Sequence, residues 1–146
     1  MTVRKVAVYV VALVALGVAG CGSMQGSAGL IDQLGGSAQL KALSDAFVNN
    51  AASDPRTSKL LSGANLGALK TKISDQFCAT IGGSCTAPLT STQISEAGKK
   101  VDASTSSALT DSLTKALDSI KASPVVKEGV TKLLGPQLGG IVAGLV

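Results

Sequence analysis

The chain has 146 residues, of which 45% are hydrophobic, so it is long and apolar enough to form one packed core. It carries 13 basic and 9 acidic side chains, no histidine and no tryptophan. This composition excludes a disordered polyelectrolyte, nucleophiles activated by histidine, and metal sites built on histidine.

Residues 1–20 have the features of an export signal. Two basic residues, Arg4 and Lys5, precede an apolar run over residues 6–18, and small residues follow the run. The run is shorter than the roughly 20 residues that a helix needs to span a bilayer. Removal of the segment takes both basic residues with it, so the net charge falls from +4 to +2. The remaining charge offers no basic surface for nucleic acid.

The end of this segment, from Val18 to Cys21, resembles the lipobox of bacterial lipoproteins. The resemblance implies that the sulfur of Cys21 is acylated and that this residue becomes the new N-terminus. Residues 21–29 would then form a lipidated tether, because they are mostly small. Gly22 follows the cysteine where an aspartate would retain the protein at the inner membrane, so the resemblance implies the periplasmic side of the outer membrane. Several acyl chains would hold the domain durably at a membrane without spanning it.

Two cysteines remain once Cys21 is assigned to lipidation. Cys78 and Cys85 are separated by six residues, and in an exported protein such a pair favours a structural disulfide. A redox-active pair and two free thiols are the alternatives.

Residues 37–90 predict two long helices. Ser37 offers an N-cap oxygen for a helix that ends near Asp54 and Pro55, and an apolar turn is expected at Leu60 and Leu61. A second helix follows Asn65 and ends at a double glycine, and its apolar side chains recur at helical spacing: Leu66, Leu69, Ile73, Phe77 and Ile81.

The C-terminal part of the chain also predicts helices. A loop over residues 84–92 leads to a short, weak helix over residues 92–99 and a long helix over residues 105–122. Ser123 and Pro124 then begin a helix that runs through Leu134. Residues 138–146 are apolar and uncharged, and packing against the core is favoured over contact with the membrane. No strand alternation is sustained, so the sequence predicts an all-α domain over residues 30–146.

Several polar residues are expected to face water. Ser74, Asp75 and Gln76 are interpreted as the exposed face of their helix. Two lysine pairs are interpreted as solvated charge, with contact to anionic lipid as the alternative: Lys70 with Lys72, and Lys99 with Lys100.

The order of these segments resembles the group 1 truncated haemoglobins. Residues 30–36 are similar to the family's opening motif, Phe47 and the Asp54-Pro55 pair to its second helix, residues 60–72 to the turn into its distal helix, and Gly82-Gly83 to the end of that helix. The resemblance extends from Leu30 to about Val142. It implies a two-over-two helical sandwich that encloses haem in the family.

The chain departs from the family at the haem ligands. The proximal histidine position falls on Glu96, the distal tyrosine on Val48, the distal glutamine on Ile73, and the porphyrin-wedging phenylalanine on Leu60 or Leu61. The resemblance also places Leu69 and Phe77 along the pocket. Iron in haem proteins is bound by His, Cys, Met or Tyr. The haem-equivalent positions of this chain carry none of these four residue types. We therefore expect no metal and no haem, an apolar pocket that closes, and a Glu96 side chain that reaches water.

Three functional hypotheses follow. The first is a haem-free, globin-like lipoprotein without enzymatic activity, which serves as a structural module or binds a protein partner or a small apolar ligand. The second is a truncated haemoglobin that binds haem through a residue other than histidine. It would handle oxygen or nitric oxide, and the resemblance would then allow nitric-oxide dioxygenase chemistry. The third is a thiol-redox protein that uses Cys78 and Cys85.

Overall fold

The protein is described by a computed structural model over residues 28–146, and these residues contain helices and no strand. The first four helices are α1 (Ala28–Leu34), α2 (Ser37–Ser53), α3 (Pro55–Leu61) and α4 (Leu66–Thr80). The remaining ones are α5 (Ser91–Gly98), α6 (Ala103–Ser119), α7 (Pro124–Leu134) and α8 (Leu138–Leu145), and a 3₁₀ turn at Gly135–Gln137 joins the last two. The expected all-α fold is confirmed. Residues 1–27, including Cys21, lie outside the described part of the chain.

Side-chain caps explain where most of these helices begin. Asn65 accepts a hydrogen bond from the Ala68 N–H at the start of α4. Ser123 caps α7, with proline at the first helical position as predicted. Before α5, Thr90 and Gln93 form a reciprocal capping box, which supports a helix of only eight residues.

Two predictions near the start of the domain are wrong. Ser37 does not cap α2: it is the first helical residue, and the N-cap position is Gly36, which provides no side-chain hydrogen bond. The expected turn at Leu60 and Leu61 is instead the end of helix α3. That helix forms because Asp54 caps it and Pro55 occupies its first position.

The helices pack around one apolar core, and the most extensive helix contacts are those of α2 with α6, α5 with α8, and α2 with α4. Helix α2 packs across α4 and α6, while α6 also contacts α7 and α8. The core is formed by large side chains that are fully buried, among them Phe47, Ile73, Phe77, Leu109, Leu113, Leu134, Leu138 and Ile141. The rings of Phe47 and Phe77 lie 5.5 Å apart and join α2 to α4. This arrangement is the expected globin-type sandwich.

The C-terminal segment packs inside the protein. Leu138, Ile141 and Val142 of α8 are fully buried, so core packing is the correct reading of the apolar tail. Over residues 28–146, no helix combines the length and the apolar character that crossing a bilayer requires.

Candidate functional site

The side chains at the haem-equivalent positions lie together in the core. Those buried in a single hydrophobic cluster are Val48, Leu61, Leu69, Ile73 and Phe77, and Leu60 packs against the same cluster from a half-buried position. They come from α2, α3 and α4 and share the cluster with Ile94 of α5 and with α8. The structure therefore brings these predicted residues together, with side chains of other helices packed among them.

Glu96 lies apart from this cluster. Its side chain is 64% exposed, and one carboxylate oxygen accepts a hydrogen bond at 2.7 Å from the Lys99 ammonium group, one turn along α5. The buried residue of α5 is Ile94, which joins the core. The helix thus directs an apolar side chain inward and its carboxylate outward, as expected for an acid with no buried partner.

Glycines allow α5 and α8 to approach closely. A Cβ added at Gly140 would overlap the carbonyl oxygen of Ile94, and a Cβ added at Gly98 would lie 3.6 Å from the Gly140 Cα. A Cβ at Gly144 would run into the Leu89 side chain, which precedes α5. Backbone therefore meets backbone at Gly98 and Gly140 along this contact.

Gln76 is buried, so the prediction that its side chain faces water is wrong. Its side chain is only 3% exposed, and its Oε1 accepts a hydrogen bond of 2.9 Å from the Leu89 N–H. The side-chain nitrogen donates to the Thr80 hydroxyl at 3.4 Å. The prediction of an exposed position failed because the partner is a backbone group thirteen residues away, in a loop that folds back over α4. A polar residue one position before the buried Phe77 was the available signal.

A disulfide also secures this loop. Cys78, near the end of α4, is bonded to Cys85, and their Cα atoms lie 5.8 Å apart. Gly83 lies between them, where a Cβ would overlap the Cys78 sulfur and the Ile31 side chain of α1. The predicted pairing is present in the structure, and together with Gln76 it fixes the connection between α4 and α5.

An ion-pair network joins α3 to α6. The Arg56 guanidinium bonds to Asp54 at 2.9 Å and to Asp111 at 3.2 Å. The side-chain bond from Arg56, followed by a bond from its backbone N–H, holds the pKa of Asp54 below the ordinary value. Asp102, the N-cap of α6, has a lowered pKa because its carboxylate accepts hydrogen bonds from Thr105, first from the backbone.

The residues present do not fit haem. Between residues 28 and 146 the sequence holds no His, Met or Tyr, and both cysteines in that range are bonded to each other. Position 96 carries an exposed carboxylate paired with lysine, and the side chain that α5 places in the core is Ile94. The same residues contain no group of three or more His, Cys, Asp or Glu side chains that could hold a metal ion.

Comparison with known proteins identifies the fold and the family. Two solved structures of point variants of the truncated haemoglobin from Tetrahymena pyriformis, both in the Fe(III) form, each match with a TM-score of 0.65 and 16% identity. Each match covers 72% of this chain and 90% of the other. No curated protein sequence shows significant similarity. The bacterial-like globin family matches residues 29–136, about three quarters of the sequence, and the chain therefore belongs to that family.

Proposed function

We propose that this protein is a globin-family lipoprotein that works without haem, as a structural or binding module held at the periplasmic face of the outer membrane. The observation that carries the proposal is the side chain that α5 directs toward the α4 residues of the expected pocket: Ile94 is buried in the same apolar cluster as Ile73 and Phe77. In this arrangement the helix that would supply the iron ligand packs against the core through Ile94, while Glu96 points to solvent.

The chemistry of the remaining side chains supports a role other than catalysis. The core cluster that includes Val48, Ile73 and Phe77 is apolar, so it offers no proton donor or acceptor to a reacting group. Four polar side chains are buried, namely Ser44, Thr57, Gln76 and Ser112, and no buried side-chain polar atom among the described residues lacks a hydrogen bond. A protein with such a core could act as a scaffold whose surface binds a protein partner. Alternatively, its apolar interior could bind a small apolar ligand.

Titration with haemin tests the haem-free part of the proposal. The mature chain, residues 21–146 with Cys21→Ser, is purified and titrated with haemin while the absorbance near the Soret region is recorded. We expect a broad, non-saturating band like that of haemin with an unrelated protein, because no axial ligand is available. The Tetrahymena truncated haemoglobin, stripped of haem and treated in the same way, is the positive control. A sharp band that saturates at one haemin per chain contradicts the proposal.

Metabolic labelling tests the lipoprotein part separately. Cells expressing the full chain are grown with a labelled fatty acid, and the protein is isolated from the membrane fraction. We expect label on the wild-type chain and none on the Cys21→Ser variant, because that variant lacks the thiol that would carry the acyl chain. An unlabelled wild-type protein contradicts this part and leaves the haemin result unaffected.

Family membership favours one rival, a truncated haemoglobin that binds haem through another ligand. A lysine would serve, since Lys99 and Lys100 follow Glu96, or a thiolate after reduction of the disulfide. This rival predicts stoichiometric haemin binding with a spectrum that changes in the Lys99→Ala, Lys100→Ala or Cys78→Ser variant. If haemin binds, nitric-oxide dioxygenase activity would again be a candidate function, because that chemistry requires haem.

A further inference from the structure

We infer that the exposed N-terminal end of α7, next to α1, is the surface through which the domain rests on a lipid bilayer. This apolar tip consists of Pro124 and Val125. The inference rests on the proposed acylation of Cys21, and it goes further by assigning the orientation of the domain and the residues that contact lipid.

The length of the tether limits which side of the domain can reach the membrane. Seven residue steps separate Cys21 from Ala28, the first residue of α1. Even a fully extended chain of this length spans at most about 25 Å. A domain the size of residues 28–146 has a radius of gyration of about 13 Å, which corresponds to a diameter of about 35 Å. The start of α1 must therefore lie within about 25 Å of the bilayer, which excludes orientations that place it on the far side of the domain.

Packing places the tip of α7 on the same side of the domain as α1. Leu30 of α1 lies against Gly129 of α7, where an added Cβ would be 3.1 Å from a Leu30 methyl carbon. Val125 precedes Gly129 by four residues, so the two positions share one side of the helix. The point at which the tether joins the domain is thus close to the apolar tip.

Val125 is the most exposed large hydrophobic residue among those described, with 70% of its surface accessible. Pro124 beside it is also exposed, whereas the next residue, Val126, is buried in the core. An exposed proline and valine at a helix tip have no packing role within the domain. At a membrane interface they can insert among the headgroups, where contact with the acyl boundary stabilises apolar side chains.

Charge does not explain this contact. Lys121 and Lys127 are the lysines next to the tip in sequence, but Lys127 is paired with Asp118 and Glu128 is exposed on α7, so these four charges balance. Binding driven by attraction to anionic lipid would need an excess of lysine. We therefore expect an apolar contact that depends little on salt, and the tether would keep the local concentration of lipid high enough for it.

Tryptophan fluorescence tests the orientation, because the chain contains no tryptophan. The mature chain is coupled through Cys21 to a maleimide lipid in vesicles of phosphatidylethanolamine and phosphatidylglycerol, some lipids carrying brominated acyl chains as quenchers. Cys21 is the thiol available for coupling, since Cys78 and Cys85 are bonded to each other. One variant carries Val125→Trp. The matched control carries Ser62→Trp at an exposed position after α3, beyond the far end of α2 from α1.

We expect bromine to quench the Val125→Trp variant at least about twofold more than the Ser62→Trp variant, with emission shifted to shorter wavelength, because the first indole would reach the headgroup boundary. Raising the salt concentration should leave the difference unchanged. Equal quenching at the two positions, stronger quenching at position 62, or no quenching at either would overturn the inference. The coupled lipid supplies the anchor here, so this result is independent of the labelling experiment that decides whether cells acylate Cys21.

Discussion

At the scale of single residues, Gly140 and Glu96 have opposite positions relative to the core. Gly140 is fully enclosed and touches the backbone of α5, whereas the Glu96 side chain extends into water beside Lys99. The exposed position of Glu96 was predictable from sequence, because a lone carboxylate with no partner favours water. The position of Gly140 was not, since a glycine in an apolar tail carries no sign of the helix it will meet.

Replacing Gly140 with alanine should destabilise the fold. The added methyl group would overlap the Ile94 carbonyl, which belongs to backbone and cannot rotate away, so α5 must shift. We expect a loss of about 1–3 kcal/mol in the free energy of unfolding, measured by urea denaturation followed by circular dichroism.

Gly67 provides a matched control for this substitution. It is an exposed helical glycine near the start of α4, where a Cβ would meet only the Asn65 side chain at 3.4 Å. Gly67→Ala should be neutral or should stabilise by about 0.4–1 kcal/mol. Equal stability of the Gly140→Ala variant and the wild type would show that α5 and α8 are not in close contact.

The Asp54 carboxylate should make the stability of the folded protein depend on pH. Its pKa is lower in the folded state than the ordinary 3.8, because Arg56 hydrogen bonds to the carboxylate. The stabilisation is therefore present above the ordinary value and is lost as the pH falls through the lowered one. We expect the melting temperature of the wild type to drop below about pH 4. The Asp54→Asn variant should show a smaller drop over the same range, although Asp102 still contributes. Parallel curves for the two proteins would argue against the Arg56 interaction.

At the scale of elements, the connection between α4 and α5 is held at two points, by the Cys78–Cys85 bond and by the hydrogen bond from the Leu89 N–H to Gln76. The stripe of apolar residues along α4 was predictable from sequence, because a period of 3.6 residues is strong over four turns. The return of the loop over that helix was not, since it depends on one buried amide group.

Removing the disulfide should weaken this connection without unfolding the domain. The bond closes a short loop, so the Cys78→Ser, Cys85→Ser double variant should lose about 2 kcal/mol in the free energy of unfolding. Hydrogen exchange at the Leu89 amide should become faster, while exchange in the middle of α6 should follow global stability alone. Unchanged exchange at Leu89 would mean that Gln76 holds the loop by itself.

Placing histidine at position 96, the proximal position by resemblance, should not confer haem binding. In the Glu96→His variant the imidazole would start from an outward-facing position on α5, and Ile94 would still occupy the core side of the helix. We expect its haemin titration to match that of wild type, apart from weak surface binding through the new imidazole. A sharp Soret band at one haemin per chain would show instead that α5 moves readily and that the residue at position 96 alone determines whether the protein binds haem.

Helix α3 was not predicted from the sequence, which indicated a turn at Leu60 and Leu61 instead. Its seven residues are too few for a periodic pattern, and the pair Leu60-Leu61 looked like a turn. The helix exists because Asp54 caps it, Pro55 starts it, and the hydroxyl of the buried Thr57 donates to the Ala51 carbonyl in α2. The capping residues were visible in the sequence, but the contact with α2 that stabilises so short a helix was not.

At the scale of the whole molecule, the fold was predictable because helices, caps and glycine breaks occur in a family order, and the family match spans the same segments. The clustering of Val48, Leu69, Ile73 and Phe77 in the core was predictable for the same reason, because each lies on the apolar face of its helix. The way the interior closes was not, because it depends on how two separate helices approach each other across the tertiary structure.

The protein should unfold as one unit in the absence of any cofactor. A single apolar cluster includes residues from all eight described helices, from Leu30 to Val142, so thermal unfolding of the mature chain should show one transition with agreeing calorimetric and van't Hoff enthalpies. Added haemin should leave the midpoint unchanged, since a ligand raises it only by binding the native state. A clear rise of the midpoint with haemin, or two separate transitions, would contradict a self-sufficient core.

The glycine at position 140 has a consequence for how such a protein can change during evolution. A crowded side chain can be trimmed by one mutation, but glycine has nothing left to trim, so a gap between α5 and α8 can open only if the helices themselves are displaced. Admitting any ligand between these two helices would then require several replacements at once, none of them useful alone. Such strong epistasis makes new interactions easier to acquire on the surface of the protein than at this contact.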